Sequence, residues 1–200
     1  MIVIIDYGLG NIASVANALK KLEIPFEISA DAAVVGAAQA LILPGVGAAG
    51  QGMKNLRERG LDAAITAVVR TGTPLLGICL GMQLLLSVSE EGDVSCLGLV
   101  PGKVKKFQTR LKVPQMGWNQ AKARGNSRLF QGLPANTYFY FVHSYFCVPS
   151  DIGTVCGTTT YGSSFCSAFE QGNVFGTQFH PEKSGDAGMR VLRNFWEVAC

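Results

Sequence analysis

Short apolar runs alternate with helical spacing in the first half of the chain. The runs are residues 2–5, 41–43 and 75–78. After the first run, Ile12, Val15, Leu19 and Leu22 are spaced like one face of an α-helix, with Asn11 placed to cap its start. Continuous apolar strands separated by helices are typical of a parallel sheet built from βα units.

The second half changes to shorter runs separated by turn residues. We predict strands at 99–104, 138–145, 156–160, 167–169 and 174–179, and a closing amphipathic helix over 187–198. There are no repeats, low-complexity tracts or linkers. The pattern predicts an α/β fold in one domain, residues 1–200: an open, mostly parallel sheet flanked by helices, with additional short antiparallel strands.

A cysteine lies where one apolar strand meets a helix. The segment 77–81 reads Gly-Ile-Cys-Leu-Gly, with Cys79 between two glycines. This is the layout of a nucleophile elbow, in which side chains two residues before and after the nucleophile would collide. A free cysteine has a pKa of about 8.5, and a helix start favours the reactive thiolate. Cys79 is either a nucleophile or an ordinary buried cysteine.

The segment Gln178-Phe179-His180-Pro181-Glu182 favours the nucleophile. Proline biases His180 toward an extended backbone, so that the imidazole and the Glu182 carboxylate project to the same side. We therefore expect Cys79, His180 and Glu182 to act as nucleophile, base and orienting carboxylate.

A glycine-rich loop follows the strand at 41–43 and reads Pro-Gly-Val-Gly over 44–47. Such a loop can point backbone N–H groups into a cavity. We expect Val46, Gly47 and the N–H of Leu80 to form an oxyanion hole, in which one lost donor costs about 3 kcal/mol of transition-state stabilisation.

Five stretches together resemble the class I (triad) glutamine amidotransferases over essentially the whole chain. They are PGVG at 44–47, GICLGMQLL at 77–85, PQMGWN at 114–119, YFVHSY at 140–145 and QFHPEKS at 178–184. The second and fifth are specific to that class. MGWN and FVHSY narrow the resemblance to the glutaminase subunits of imidazole glycerol phosphate synthase, of histidine biosynthesis.

The resemblance implies a function and its residues. Such a subunit hydrolyses L-glutamine to glutamate and passes the ammonia to a (βα)₈-barrel cyclase in a heterodimer, without a cofactor. The implied glutamine-binding residues are Gly47, Gln83, Glu91, His143, Ser144 and Tyr145. Among these, the Gln83 amide suits the α-carboxylate of glutamine and Glu91 its α-ammonium. The implied partner-facing residues are Asn11, Trp118, Tyr140 and Lys183.

The composition of the chain agrees with the function that the resemblance implies. The six cysteines include no CxxC pair, and the first residues have no basic leader, so we expect reduced thiols in a cytoplasmic protein. The longest apolar stretch, 74–86, is too short to cross a bilayer, so we expect no membrane span. His180 and Glu182 also form an HxE pattern, but no PCxxC follows to complete a zinc site, so we expect no metal.

Two other functions compete. Gly8 and Gly10 begin a GxGxxA pattern after the first strand, with Glu27 at the distance of a ribose partner, as in dinucleotide-binding folds. Between Asp93 and Asp151 every charged residue is cationic, which would attract nucleic acid. No aromatic residues interleave with these charges, so we favour a solvated face or a docking rim and expect no nucleic acid partner. The cationic residues are Lys103, Lys105, Lys106, Arg110, Lys112, Lys122, Arg124 and Arg128.

Overall fold

The computed structural model describes residues 1–199, which form one thirteen-stranded sheet and six α-helices. The strands are β1 (Ile2–Ile5), β2 (Phe26–Ser29), β3 (Ala40–Leu43), β4 (Leu75–Ile78), β5 (Val88–Ser89), β6 (Val94–Ser95), β7 (Gly102–Lys106), β8 (Gln115–Ala123), β9 (Asn136–His143), β10 (Tyr145–Pro149), β11 (Val155–Tyr161), β12 (Ser163–Gln171) and β13 (Val174–Thr177). The helices are α1 (Ile12–Lys21), α2 (Ala32–Gly36), α3 (Ala49–Glu58), α4 (Leu61–Arg70), α5 (Leu80–Leu84) and α6 (Gly185–Ala199). Two single turns of 3₁₀ helix lie at Ile152–Thr154 and Pro181–Lys183.

The parallel part of the sheet has five strands in the order β2-β1-β3-β4-β13. The first four come from successive βα units near the start of the chain. The fifth comes from the far end, and its Thr177 pairs with Ile78 of β4. This pairing brings the two motif-bearing halves of the sequence together, and the predicted α/β fold is confirmed.

Both faces of β1, β3 and β4 are buried, which explains why these three strands appear in the sequence as continuous apolar runs. On one face, Ile2 and Ile4 pack with apolar residues of α1 and α6. On the other face, Val3 and Ile5 pack with apolar residues of α2, α3 and α4. Two apolar cores therefore hold the sheet between helices.

The antiparallel part continues from β13 through β12, β10 and β7, with β11, β8 and β9 branching from β12. The predicted strand at 138–145 is wrong as one element. It consists of β9, which pairs with β8, and β10, which pairs with β7 and β12. The chain bends at Ser144 between them.

The predicted strand at 99–104 starts only at Gly102. The N–H groups just before it donate to the carbonyl groups at the end of α5 instead of joining the sheet. These bonds run from Leu97 to Leu84, from Gly98 to Leu86 and from Val100 to Leu85. The segment therefore satisfies the open end of a helix, which an apolar run cannot reveal.

The carboxyl ends of β1, β3, β4 and β13 lie side by side at one edge of the sheet, because these strands are parallel neighbours. The segments that follow them carry Asn11, the loop 44–47, Cys79 and His180 respectively. Three of the five motif stretches, 44–47, 77–85 and 178–184, thus emerge at the same edge, where parallel α/β sheets place their binding sites.

Candidate active site

Cys79 occupies the single residue between β4 and α5. Its φ of 55° and ψ of −110° lie in a region that residues other than glycine rarely adopt, and such a backbone costs about 1–3 kcal/mol. The Cys79 N–H donates to the Thr177 carbonyl at 2.7 Å, and the Cys79 carbonyl accepts from the Gln83 N–H at 3.2 Å. The surrounding hydrogen bonds therefore hold this strand-to-helix turn in its strained shape.

Glycines are required around this turn because neighbouring backbone occupies the space of a Cβ atom. A Cβ on Gly81 would lie 1.8 Å from the Leu43 carbonyl oxygen, and one on Gly77 would lie 2.7 Å from the Met82 backbone. A Cβ on Gly45 would lie 2.5 Å from the Gly81 nitrogen. The steric reason inferred from the sequence for Gly77 and Gly81 is confirmed.

His180 and Glu182 form a buried pair just beyond β13. His180 has an extended backbone, as its following proline predicts, and Pro181–Lys183 then form a 3₁₀ turn. The turn returns the carboxylate to the ring, so that His180 Nδ1 lies 2.8 Å from Glu182 Oε1. Both side chains are buried. Asn11 does not cap α1 through its side chain, because its Nδ2 donates to Glu182 Oε1 at 3.1 Å instead.

The imidazole lies beside the Cys79 thiol. Burial alone would lower the pKa of His180, but the adjacent Cys79 and Glu182 side chains raise that pKa to about 10. His180 Nε2, the nitrogen that does not face Glu182, is buried without a hydrogen bond inside the described chain. The structure thus brings the three residues together, with a protonated ring favoured at neutral pH.

A cavity of about 290 Å³ opens over the thiol. It is lined by every residue that the sequence assigns to the oxyanion hole or to glutamine binding, together with Pro114 and Val142, which lie in the named stretches but were given no role. The lining residues are Val46, Gly47, Cys79, Leu80, Gln83, Glu91, Pro114, Val142, His143, Ser144 and Tyr145.

The polar groups of this cavity are already partly paired. Gln83 Nε2 donates to the Tyr145 carbonyl at 2.9 Å and to Gln178 Oε1 at 3.1 Å. Because both amide hydrogens are used, Gln83 has only its carbonyl oxygen left for a ligand. This contradicts the expectation that the Gln83 amide would donate to a carboxylate. Glu91 Oε2 accepts from the Ala49 N–H at 2.8 Å, which leaves Oε1 for a cation.

His143 is a neutral structural histidine at the cavity wall. Burial lowers its pKa to about 4, and its Nδ1 lies 2.7 Å from the Tyr145 carbonyl oxygen. Since a carbonyl only accepts, Nδ1 carries the ring proton, and Nε2, 3.1 Å from the Gln115 side-chain amide, is the acceptor in the neutral ring. His143 therefore braces the bend between β9 and β10 rather than supplying charge.

The sequence motifs gave Gln178 no role, although its side chain lies beside the Cys79 sulfur. It is fully buried, and its Nε2 lies 3.7 Å from Cys79 Sγ. The only signal in the sequence is a glutamine near the end of the predicted strand 174–179, directly before Phe179 and His180.

The expected partner-facing residues cluster next to the His180–Glu182 pair. Lys183 Nζ lies 5.9 Å from the ring centroid of Tyr140, and that ring packs edge to face with Trp118 at 6.3 Å. Trp118 is 57% exposed, a large value for such a side chain. Asn11 reaches the same region through its bond to Glu182.

The features that suggested other functions have structural explanations here. Gly10, with a φ of 131°, packs against Pro44 of the glycine-rich loop, where a Cβ would lie 3.3 Å from the proline ring. The cationic residues Lys103 and Lys105 are exposed on β7 and alternate with buried positions.

Among residues 1–199, no three His, Cys, Asp or Glu side chains come together to hold a metal ion. Nor does that part of the chain contain a helix long and apolar enough to span a bilayer.

Comparison with known proteins gives the family. The model of the class I glutamine amidotransferases matches residues 3–198. The chain belongs to this family. A relative from Moorella thermoacetica, the imidazole glycerol phosphate synthase subunit HisH, is 52% identical over 98% of this chain and 94% of its own length. The HisH subunit of Herpetosiphon aurantiacus is 49% identical over 100% and 95% of the two chains.

Solved structures share the fold of this class I amidotransferase. The structure of PurLQS from Thermotoga maritima aligns with a TM-score of 0.79, at 18% identity, over 100% of this chain and 98% of that one. A structure described as a glutamine amidotransferase aligns with a TM-score of 0.77, at 23% identity, over 99% and 98%. The resemblance read from the motifs and the predicted fold class are both confirmed, and the chain is an enzyme of the glutamine amidotransferase class.

Proposed function

We propose that this amidotransferase hydrolyses the side-chain amide of L-glutamine to glutamate and ammonia through Cys79, His180 and Glu182. The observation that carries the proposal is the buried His180–Glu182 pair beside the thiol, under a cavity of about 290 Å³. The Cys79 thiolate attacks the carboxamide carbon. Backbone N–H groups of Val46, Gly47 and Leu80 stabilise the resulting oxyanion.

His180 then acts first as an acid and next as a base. Its pKa of about 10 keeps the ring protonated at neutral pH, so it can give a proton to the departing nitrogen as the carbon–nitrogen bond breaks. Ammonia leaves and a glutamyl thioester remains on Cys79. The neutral ring next takes a proton from water, which attacks the thioester and releases glutamate and the thiolate. Glu182 holds the tautomer throughout.

The two poles of glutamine bind different parts of the cavity. The free oxygens of Gln83 and Glu91 both accept, so they suit the α-ammonium group rather than opposite poles of the substrate. The α-carboxylate would then bind at the bend 143–145, where the Ser144 hydroxyl can donate a hydrogen bond. Gly47 allows the loop to approach the substrate without a side chain.

The close relatives extend the proposal to a partner. The two relatives are named as HisH subunits of imidazole glycerol phosphate synthase and are 52% and 49% identical to this chain. We place this chain in the same role, as one domain over residues 1–200 that docks on a (βα)₈-barrel cyclase and supplies ammonia for histidine biosynthesis. The exposed face that includes Asn11, Trp118, Tyr140 and Lys183 would meet that cyclase. The five described cysteines are free, in keeping with a cytoplasmic location.

The test is a Cys79→Ala variant assayed together with a cyclase partner and its nucleotide substrate. We expect glutamine-dependent synthesis to be lost while synthesis from added ammonia persists, because only the source of nitrogen is removed. Cys96→Ala, a half-buried cysteine outside the cavity, is the matched control and should keep both activities. Glutamine-dependent synthesis by the Cys79→Ala complex would refute the assignment.

A further inference from the structure

A chain of buried amides connects the wall of the cavity to the sulfur. The Tyr145 carbonyl accepts from Gln83 Nε2, and Gln178 Oε1 accepts from the same nitrogen. Gln178 Nε2 in turn lies 3.7 Å from Cys79 Sγ. Gln178 does not line the cavity, so it reaches a bound ligand only through Gln83 and Cys79.

The direction of the chain is fixed at one end. A main-chain carbonyl can only accept, so the Gln83 atom that faces the Tyr145 oxygen must be the amide nitrogen. That nitrogen also faces Gln178, which must therefore present its oxygen to Gln83. The Gln178 nitrogen is then the atom left to face the sulfur, and no reversal of either amide satisfies the same contacts.

Burial makes this donor effective. Gln178 is fully buried and Gln83 is 4% exposed, so water does not compete along the chain. Hydrogen bonds to a charged group are strong in such surroundings, and a donor aimed at a sulfur favours its anion over the neutral thiol. The Gln178 N–H to Ser167 carbonyl bond, at 2.9 Å, fixes the backbone from which this side chain projects.

We propose that Gln178 is a positioning residue that holds the Cys79 sulfur with an amide N–H and stabilises its thiolate, its own direction being set by Gln83 and the Tyr145 carbonyl. The proposal rests on the proposed function only for the role of Cys79 as nucleophile. Because Gln83 also lines the cavity, a ligand that hydrogen-bonds to Gln83 changes the strength of the hydrogen bond that Gln178 donates to the Cys79 sulfur.

The test compares the pH dependence of alkylation of residue 79 in the wild-type chain and in Gln178→Met. Methionine has a similar volume but carries no hydrogen-bond donor. Iodoacetamide is the probe, and modification of residue 79 is followed by peptide mass spectrometry, so the other cysteines do not interfere. The charged or titratable groups that interact with Cys79 are His180, Tyr7 and Cys147, and the substitution leaves all three in place.

We expect the midpoint of alkylation to rise by about one pH unit in Gln178→Met, with about tenfold slower reaction below the midpoint. Thr177→Val is the matched control, because the Thr177 hydroxyl is equally buried on the preceding residue but has no hydrogen-bond partner among the described residues. That variant should keep the wild-type midpoint. Equal shifts in both variants, or none in Gln178→Met, would overturn the proposal.

A second variant covers the case in which Gln178→Met does not fold. Gln83→Met keeps the donor but removes the group that directs it, so the midpoint should move in the same direction by a smaller amount. An unchanged midpoint there refutes the chain of amides. The measurement needs neither glutamine nor a partner. A shifted midpoint in a chain that supports no glutamine-dependent synthesis with its cyclase partner would therefore reject the proposed function and keep this inference.

Discussion

Replacing Glu182 by glutamine tests whether the carboxylate sets the charge of His180. The variant keeps the shape of the side chain but replaces a charged acceptor, 2.8 Å from Nδ1, by a neutral one. A hydrogen bond to a charged group is worth about 1.5–3 kcal/mol, which corresponds to a pKa change of about 1–2 units. We expect the pKa of His180 to fall from about 10 to about 8–9 in Glu182→Gln.

The chain is well suited to the measurement because it contains two histidines, His143 and His180. Ring ¹⁵N chemical shifts can be followed against pH without crowding. His143, whose burial lowers its pKa to about 4, stays neutral over the range used and serves as an internal reference. Asp186→Asn, an exposed carboxylate four residues further along, is the matched control and should leave the His180 titration unchanged.

The same shift has a consequence for stability. Because the folded-state pKa of His180 lies above its ordinary value of 6.5, protonation of the ring stabilises the folded chain. That contribution is complete below about pH 6.5 and is lost as the pH rises through about 10 in the wild type. In Glu182→Gln the loss should be complete about 1–2 pH units earlier. An unchanged titration midpoint in the variant would refute the reasoning.

Two further predictions concern sterics and the Asn11 contact. Gly81→Ala should destabilise the fold by about 4 kcal/mol or more in thermal unfolding, because its Cβ would overlap the Leu43 carbonyl. The control is Gly36→Ala, which has open space around it in α2 and should stabilise the fold by about 1 kcal/mol or less. A folded, stable Gly81→Ala chain would contradict the geometry of the elbow. Asn11→Ala should raise the ¹⁵N titration midpoint of His180, and by less than Glu182→Gln lowers it, since loss of the Asn11 donor leaves more of the Glu182 negative charge to stabilise the imidazolium. A midpoint that stays at the wild-type value, in the chain without its partner, would show that the Asn11 contact does not reach the ring.

The parts of the fold that the sequence reveals are those governed by local sterics and burial. Continuous apolar runs identify β1, β3 and β4 because both faces of each are covered. The glycines at 77 and 81 identify the elbow because a neighbouring main chain excludes any side chain. β2 has no such signal, since it is an edge strand with two exposed positions among its four residues.

The parts that the sequence hides depend on contacts across the fold. The segment 97–100 is apolar like a strand, but its N–H groups are drawn to the end of α5. From the sequence alone, Gln83 is a side-chain amide that can either donate to a ligand or accept from it. Tyr145 and Gln178, 62 and 95 residues away along the chain, take both hydrogens and leave the acceptor. Pairings of this range have no local signature.

Gly45, Gly77 and Gly81 also determine how mutational data on this chain should be read. In a growth selection that scores every substitution, these three positions would tolerate change as poorly as the proposed nucleophile Cys79, although none of them carries a reacting group. Crowded backbone and chemical reactivity would give the same score. Measuring the amount of folded protein for each variant separates the two, because loss at a glycine follows from failure to fold, whereas under the proposed function Cys79→Ala should leave an abundant but inactive chain.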